Sequence, residues 1–357
     1  MIEYSMELGK KQEDRKKHLG RGALFLLLNI AVIAYAALRE QSGAEGNAAL
    51  RLGAHGALWL LGGFGCLCTS FAAESAKYLL MMRALGGRAS LRAAFETTVL
   101  GRYYDSITPG GAGGQPFQIW WLRKRGYDDG AAGAMPIIGF ITMQAGFILP
   151  ALVTFLTYRA AEIEAICYTA WLGLVCFSVA PCLLMWFSVS PRTAERVISI
   201  VFRLVGRLHL MRDTDGKCKK LLSTMAQYTD SFGALAGKRG LLSALMALSI
   251  LYRIALCSIP WFVLGALGAS VPYLRALALT FIIYAASAVV PTPGNAGAAE
   301  GSFYLVFSAA GASGVFWAML LWRLFCYYSV ILIGALVQLG DAFGKRTNEG
   351  TIWYGAA

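Results

Sequence analysis

Several long apolar stretches constrain the fold of this chain most strongly. A helix needs about 20 mostly apolar residues to cross the hydrocarbon core of a bilayer. Six stretches reach or approach this length: 22–38, 54–82, 131–158, 163–189, 240–267 and 314–340. Hydrophobic residues make up 57% of the chain and charged residues only 15%, a balance that would leave a soluble domain with too much exposed apolar surface. The sequence therefore predicts an all-α polytopic membrane protein with about six transmembrane helices.

The basic residues are distributed unevenly around these stretches. The net charge of +12 would suit nucleic-acid binding, but lysine and arginine in a membrane protein collect in cytoplasmic loops. With a cytoplasmic N-terminus, the basic segments 1–21, 123–125 and 192–239 all lie inside. The arginines then expected outside are Arg39, Arg51, Arg159 and Arg275. We therefore expect a multi-pass protein with both termini in the cytoplasm and no bound nucleic acid.

Residues 1–38 also fit a cleaved signal peptide, because a basic start and an apolar run precede Ala34-Tyr35-Ala36. The basic lead 1–21 is long for a signal peptide, and the apolar run is long enough to anchor the chain. We therefore expect a retained first span.

Motifs that would bring a metal, a nucleotide or catalysis are missing from the sequence. The eight cysteines and three histidines have no metal-ligand or disulfide spacing. No GxxxxGK[ST], HExxH or GxSxG pattern occurs. We expect no metal, no cofactor and no enzymatic activity.

A six-residue motif occurs twice, each time inside an apolar region. Thr108-Pro-Gly-Gly-Ala-Gly113 and Thr292-Pro-Gly-Asn-Ala-Gly297 differ at a single position. Proline lacks an N–H and glycine relaxes the backbone, so each motif predicts a helix, a break and a second helix. The short flanking arms are 91–107 and 116–122 for the first motif, and 275–290 and 298–310 for the second. A simple loop between two ordinary spans is the alternative.

The charge pattern gives the two broken helices opposite orientations. If 91–122 enters and leaves on the cytoplasmic side, its basic flanks are inside, and 275–310 must then start and end outside. This predicts an inverted repeat, in which broken helices meet near the midplane and form a binding site. Repeat 1 is 54–158, with the re-entrant hairpin 91–122, and repeat 2 is 240–340, with the re-entrant hairpin 275–310. Outside the repeats lie the first span and outer loop (22–53), an extra span and basic segment (159–239) and the tail (341–357).

The paired motifs resemble those of a known family. Thr108-Pro-Gly-Gly-Ala-Gly-Gly-Gln-Pro116 and Pro291-Thr-Pro-Gly-Asn-Ala-Gly-Ala-Ala-Glu-Gly301 resemble the membrane region of the multiple peptide resistance factors, which are lysylphosphatidylglycerol synthetase/flippases. The resemblance covers nearly the whole chain. It implies a flippase in the bacterial inner membrane that moves an aminoacylated phosphatidylglycerol, such as the lysyl ester, to the outer leaflet. Such a flippase gives resistance to cationic antimicrobial peptides.

Long members of that family also carry a soluble phosphatidylglycerol lysyltransferase domain. Because only 341–357 follow the last apolar stretch, we expect a stand-alone flippase domain. Its expected partners are the phospholipid substrate, anionic membrane lipids and a separate aminoacyl-tRNA-dependent synthase. The alternatives are a small-solute or ion secondary transporter, or the membrane part of a lysyltransferase system. The sequence leaves the oligomeric state open, a homodimer included.

The residues around the breaks are the predicted lining of the substrate cavity. Gln115 and Asn295 offer amide groups beside the breaks, and the half-helix N-termini near 116 and 298 are expected to present free N–H groups to a phosphate. The predicted cavity residues are Arg102, Asp105, Thr108, Pro109, Gly110, Gly111, Gly113, Gly114, Gln115, Thr292, Pro293, Gly294, Asn295, Gly297 and Glu300.

Arg102 and Asp105 are three residues apart, which allows an ion pair on one helix face. In the functional alternative, Arg102 contacts the lipid phosphate and Asp105 contacts the added ammonium group. Glu74 and Lys77 have the same spacing and are expected to neutralise each other.

Glu300 stands at the start of a half-helix, where the helix dipole favours a carboxylate. Either Arg253 or Arg323 is expected to neutralise it or to bind the phosphate. The predicted charge partners of the cavity are Glu74, Lys77, Glu96, Arg253 and Arg323.

The segment 192–212 carries Arg196, Arg203 and Arg207 at helical intervals with apolar residues between them. This pattern indicates an amphipathic helix at the membrane surface. Its charge either follows the cytoplasmic excess of basic residues or recruits anionic lipids.

Overall fold

The computed structural model describes residues 54–86, 89–157, 164–190, 196, 199–200 and 214–352. The predicted first span, 22–38, and most of the predicted amphipathic segment 192–212 lie outside these residues. Within them the chain is helical: α1 Ala54–Ala84, α2 Leu91–Ile107, α3 Gly114–Lys124, α4 Asp129–Thr157, α5 Glu164–Val189, α6 Thr214–Ala236, α7 Arg239–Ala266, α8 Tyr273–Ser287, α9 Ala298–Ala309, α10 Val315–Arg323, a π-helical segment Leu324–Tyr328, and α11 Ser329–Ile352.

Long apolar helices stand where five of the six spans were predicted. Among the described residues, α1, α4, α5, α7 and the helix Val315–Asp341 are long and apolar enough to cross a membrane. Both motifs interrupt helices as predicted, the first between α2 and α3 and the second between α8 and α9. The all-α polytopic fold is confirmed. Re-entry of the two hairpins from opposite membrane faces stays a prediction.

Helices α1 and α7, which begin the two predicted repeats, pack closely because glycines stand at their interface. A Cβ atom on Gly62 would lie 2.3 Å from the ring of Phe262, and one on Gly265 would lie 2.5 Å from the ring of Trp59. Small residues let spanning helices approach in a solvent that gives no hydrophobic drive for their association. The α1–α7 contact thus holds the two predicted repeats together.

A helix that the sequence analysis did not predict, α6, braces one end of the helix bundle. Tyr228, Phe232 and Leu235 are buried against the start of α4 in one hydrophobic cluster. A Cβ atom on Gly130 would lie 2.4 Å from the carbonyl oxygen of Gln227, so the two backbones touch. α6 therefore fixes the position of α4, one wall of the site described below.

Helix α5 packs against α8 backbone to backbone. A Cβ atom on Gly173 would lie 1.8 Å from the carbonyl oxygen of Ala285. We predict that Gly173→Ala lowers the free energy of unfolding by about 1–3 kcal/mol, since a backbone carbonyl cannot move aside as a side chain can. The measurement is thermal unfolding of the purified protein in detergent micelles.

Gly65→Ala on α1 is the matched control, because nothing lies within 4 Å of the added carbon. An alanine in a helix with free space is more stable than glycine by roughly 0.5–1 kcal/mol. Equal unfolding temperatures for the two variants would contradict the close α5–α8 contact.

Candidate functional site

The two breaks meet in space. Pro109 and Pro293 form an isolated antiparallel β-bridge, although they are far apart in sequence. The bridge places the backbones of the two breaks side by side.

Matched residues of the two motifs have the same unusual backbone conformation. Gly110 and Gly294 have φ of +65° and +59°, and the following pair, Gly111 and Asn295, have +64° and +51°. Among residues with a side chain, asparagine is one of the few that adopt the left-handed region readily. The one difference between the motifs therefore preserves the backbone geometry.

Side chains close to each break already bind the first amides of the half-helices. The N–H groups of Gly113 and Gly114 donate to Thr108 Oγ1 (2.9 Å) and Asp105 Oδ1 (2.7 Å). At the second break, the N–H of Gly297 donates to Glu300 Oε2 at 2.8 Å. The expectation that these helix starts present free amides to a phosphate is therefore wrong for all three groups, because the motifs supply their own acceptors.

A cavity of about 700 Å³ lies beside the paired breaks. Of the predicted cavity residues, six line it: Asp105, Gly110, Gly111, Gln115, Gly294 and Asn295. Two of the predicted charge partners, Arg253 and Arg323, line it as well. The other predicted residues do not line the cavity.

The cavity has a mixed polar and apolar lining. The breaks and the arginines of α7 and α10 contribute polar groups. Helices α3, α4 and α5 contribute mostly apolar side chains, which are Ile119, Ile137, Phe140, Met143, Phe177, Ala180 and Leu184. A molecule that fills the cavity therefore needs both a polar and an apolar part.

The two predicted pairs on single helices do not form. Arg102 Nε donates to Glu74 Oε2 at 2.8 Å, across from α2 to α1. Lys77 Nζ donates to the carbonyl oxygen of Gly139 at 3.1 Å instead of binding Glu74. The i,i+3 expectation was wrong because burial between α1, α2 and α4 brings closer partners from neighbouring helices, a tertiary effect that spacing cannot indicate.

Glu300 and Arg323 form the second buried ion pair. Arg323 Nε lies 2.7 Å from Glu300 Oε1, and Nη2 donates to Oε2 at 2.7 Å, a two-point contact. Arg323 Nη1 also donates to the carbonyl oxygen of Gly294 at 3.1 Å. Of the two arginines predicted as partners of Glu300, Arg323 takes this role and fastens the second break to α10.

Arg253 is left without a counter-ion. It is 7% exposed, lines the cavity, and its guanidinium carbon lies 4.9 Å from the ring centre of Phe147 and 5.3 Å from that of Tyr252. Its Nε has no hydrogen-bond partner. In the part of the chain that the structure describes, Arg253 forms no ion pair, so it is the cation of the cavity that remains available.

Glu96 lies away from the cavity. Glu96 pairs with Arg92 on its own helix at 2.9 Å and with Arg125, which follows α3. The contact with Arg125 joins the two arms of the first hairpin at their outer ends. Both arginines are considerably more exposed than Glu96. Its role in the described structure is to hold the hairpin together.

Tyr327, which the sequence does not single out as a site residue, touches both breaks. Tyr327 donates from its hydroxyl to the carbonyl oxygen of Ser106 at 3.4 Å, and its ring leaves no space for a side chain on Gly294. Its place on the π-helical segment aims it between the breaks, and π-helical turns leave no recognisable sequence pattern. In the sequence, only the adjacent aromatic pair Tyr327-Tyr328 marks this position.

Comparison with known proteins identifies the family of this chain. The family described as the lysylphosphatidylglycerol synthase TM region matches residues 22–334, a range that contains both breaks and every lining residue of the cavity. This chain belongs to the lysylphosphatidylglycerol synthase TM-region family. A UPF0104 membrane protein of Archaeoglobus fulgidus is 25% identical over 264 residues, which cover 72% of this chain and 78% of the relative.

Membership in the lysylphosphatidylglycerol synthase TM-region family makes the chain a membrane protein of that type. The family match begins at residue 22 and ends at residue 334, so it includes the predicted first span and the described helices up to the start of α11. The resemblance expected from the two motifs is thereby confirmed.

The Glu300–Arg323 pair gives a direct test of how the second break is held. Glu300→Gln leaves a buried arginine without its partner, and breaking a buried pair in this way costs about 3–5 kcal/mol. We predict that adding Arg323→Met restores most of the loss, because the double variant has no unpaired charge. The measurement is a double-mutant cycle on thermal unfolding.

Asp129→Asn is the matched control, because Asp129 and its partner Arg123 are 44% and 47% exposed, and exposed pairs contribute roughly 0–1 kcal/mol. A double variant as unstable as the sum of its two single variants would contradict the pairing.

Proposed function

We propose that this protein is a phospholipid flippase whose cavity binds the phosphate of a lipid headgroup through Arg253. The substrate we propose is an aminoacylated phosphatidylglycerol, such as the lysyl ester, moved from the inner to the outer leaflet. The buried guanidinium in the cavity lining, without an ion-pair partner among the described residues, is the observation that carries this proposal.

The balance of buried charges supports an anionic ligand group. Two of the buried cations, Arg102 and Arg323, have carboxylate partners. Lys77 has a backbone carbonyl, whereas Arg253 Nε has no acceptor among the described residues. An isolated charge in a low-dielectric interior is costly unless a partner arrives. A phosphate supplies that partner, and the planar fork of arginine matches its geometry.

Asp105 supports an amine on the same headgroup. Its carboxylate lines the cavity, and the hydrogen bond described for it comes from the amide of Gly114. A lysyl ester of phosphatidylglycerol carries a phosphate and ammonium groups on one headgroup, so Arg253 and Asp105 can each bind a group of opposite charge. This assignment keeps the ammonium role predicted for Asp105 and moves the phosphate from Arg102 to Arg253.

The mixed lining of the cavity supports a lipid over a small solute or ion. A small polar solute gains nothing from a wall of isoleucine, phenylalanine and leucine, whereas an acyl chain does. Ile119, Ile137 and Leu184 stand near the helix ends that the charge pattern assigns to the cytoplasm. They support a cavity that is open toward the inner leaflet of a bacterial inner membrane.

Several further features belong to the same proposal. The protein acts as a transporter and not as an enzyme, and a separate aminoacyl-tRNA-dependent synthase supplies the lipid. Export of a cationic lipid lowers the negative charge of the outer leaflet, so cells gain resistance to cationic antimicrobial peptides.

Replacing Arg253 tests whether this residue serves transport or the stability of the fold. We predict that Arg253→Met lowers leaflet transfer of labelled lysylphosphatidylglycerol in proteoliposomes by about 10- to 100-fold, the worth of a hydrogen bond to a charged group. The same variant should unfold at an equal or higher temperature, because it removes an unpaired buried charge.

Arg83→Met is the matched control, since Arg83 is exposed at the end of α1 and lies away from the cavity. It should transport lipid like the wild type. Transfer by Arg253→Met at the wild-type rate, or no transfer by folded wild-type protein, would refute the proposal.

A further inference from the structure

Asp105 is the acidic residue of the cavity. Among the described residues that line the cavity, it carries the sole carboxylate. Its side chain stands near the end of α2 and is partly exposed to the cavity. Oδ1 accepts the N–H of Gly114 at 2.7 Å. No ion pair in the described part of the chain includes Asp105. The carboxylate therefore faces the cavity without a counter-ion from the protein.

The charged neighbours of Asp105 do not neutralise it. Glu74 on α1 and Arg102 on the same helix as Asp105 act on it, but these two pair with each other at 2.8 Å. Tyr78 of α1 is a further titratable neighbour and is uncharged at neutral pH. Arg253 of α7 lines the cavity too, but forms no ion pair with Asp105. The neutralising partner of Asp105 is therefore a mobile one, either a proton or a cationic ligand.

A carboxylate at membrane depth becomes neutral in one of two ways. It binds a proton, or it binds a cation such as the ammonium group of a headgroup. The amide of Gly114 supports the ionised form, whereas the low-dielectric surroundings oppose it. Because these two effects act in opposite directions, both forms are within reach. A proton and an ammonium group therefore compete for Asp105.

We propose that Asp105 exchanges a proton for the ammonium group of the lipid, so that one proton moves inward for each aminoacylated lipid that moves outward. This inference rests on the flippase activity proposed above. On the inner side, the ammonium group displaces the proton from the carboxyl group, and the proton leaves to the cytoplasm. On the outer side, a proton replaces the departing ammonium group. The cavity then returns with a neutral carboxyl group, since a bare carboxylate is costly at membrane depth.

The two exchanged species carry equal charge. A lysyl ester of phosphatidylglycerol has a net charge of about +1, because its two ammonium groups outweigh its phosphate. The proton carries the same charge in the opposite direction. The exchange therefore moves no net charge, and the pH difference across the membrane drives it, whereas the membrane voltage does not.

The test is the distribution of labelled lysylphosphatidylglycerol between the two leaflets of proteoliposomes, read with a quencher that does not cross the membrane. With equal pH on both sides, we expect a near-even distribution. With a pH difference of about one unit, the lipid should accumulate about 10-fold in the leaflet that faces the acidic side, as one-for-one exchange requires. A potassium–valinomycin potential at equal pH should leave the distribution near even.

The variants locate the exchange. Asp105→Asn keeps an oxygen that can accept the Gly114 N–H but cannot take up the proton, so its lipid distribution should not follow the pH difference. Asp129→Asn is the matched control, because Asp129 is 44% exposed and lies outside the cavity lining. It should accumulate lipid like the wild type.

Proton release gives a second measurement, which decides if Asp105→Asn transfers too little lipid. Lysylphosphatidylglycerol added to wild-type protein in weakly buffered detergent should release up to about one proton per bound lipid at some pH between about 5 and 8. Asp105→Asn should release none. Phosphatidylglycerol, which lacks the ammonium group, should release none from the wild type.

The failures of the two proposals are distinguishable. Wild-type transfer that ignores the pH difference, or binding without proton release, would overturn the exchange and leave the flippase proposal standing. Accumulation by Asp105→Asn equal to that of the wild type would place the proton elsewhere. Accumulation driven by voltage at equal pH would contradict one-for-one exchange. Absence of transfer by folded wild-type protein would refute the flippase proposal and the exchange with it.

Discussion

The need to satisfy backbone hydrogen-bonding groups inside a membrane governs this structure. Non-helical backbone is tolerated at membrane depth only where protein or a wet cavity surrounds it. The Thr-Pro-Gly breaks meet this need by capping their own half-helices, and their backbones lie against each other at Pro109 and Pro293. At the second break, Arg323 also donates to the carbonyl oxygen of Gly294. The cavity lies beside the contact between the two breaks.

The two breaks share the left-handed conformation at two matched positions but not a charge pattern. Around the first break, Arg102 reaches back to Glu74 on α1. Around the second, Glu300 caps its own half-helix and also binds Arg323 on α10. These ion pairs fasten each hairpin to a neighbouring helix by different means. Arg253 belongs to neither pair, so it can bind a ligand without dismantling the fold.

Sequence alone predicted the helices and the breaks because their causes are local. Apolar length specifies the spans, and Thr-Pro-Gly specifies the interruptions. The sequence shows that Asn295 takes the place of Gly111 in the second motif. The left-handed backbone at both positions explains why asparagine fits there. The partners of buried charges could not be predicted, because Glu74 has candidates on several helices and only packing selects Arg102. Tyr327 was missed for a similar reason, since a π-helical turn decides where it points.

An engineered disulfide between the two breaks tests most directly whether they lie in contact. A Cβ atom on Gly110 would lie 3.8 Å from that of Pro291, within the 3.5–4.5 Å range of disulfides. In a cysteine-free background, membranes containing Gly110→Cys and Pro291→Cys together should form an intramolecular disulfide under mild oxidation, detected by mass spectrometry, and the single variants should not. Failure to cross-link while both thiols still react with maleimide would contradict the account.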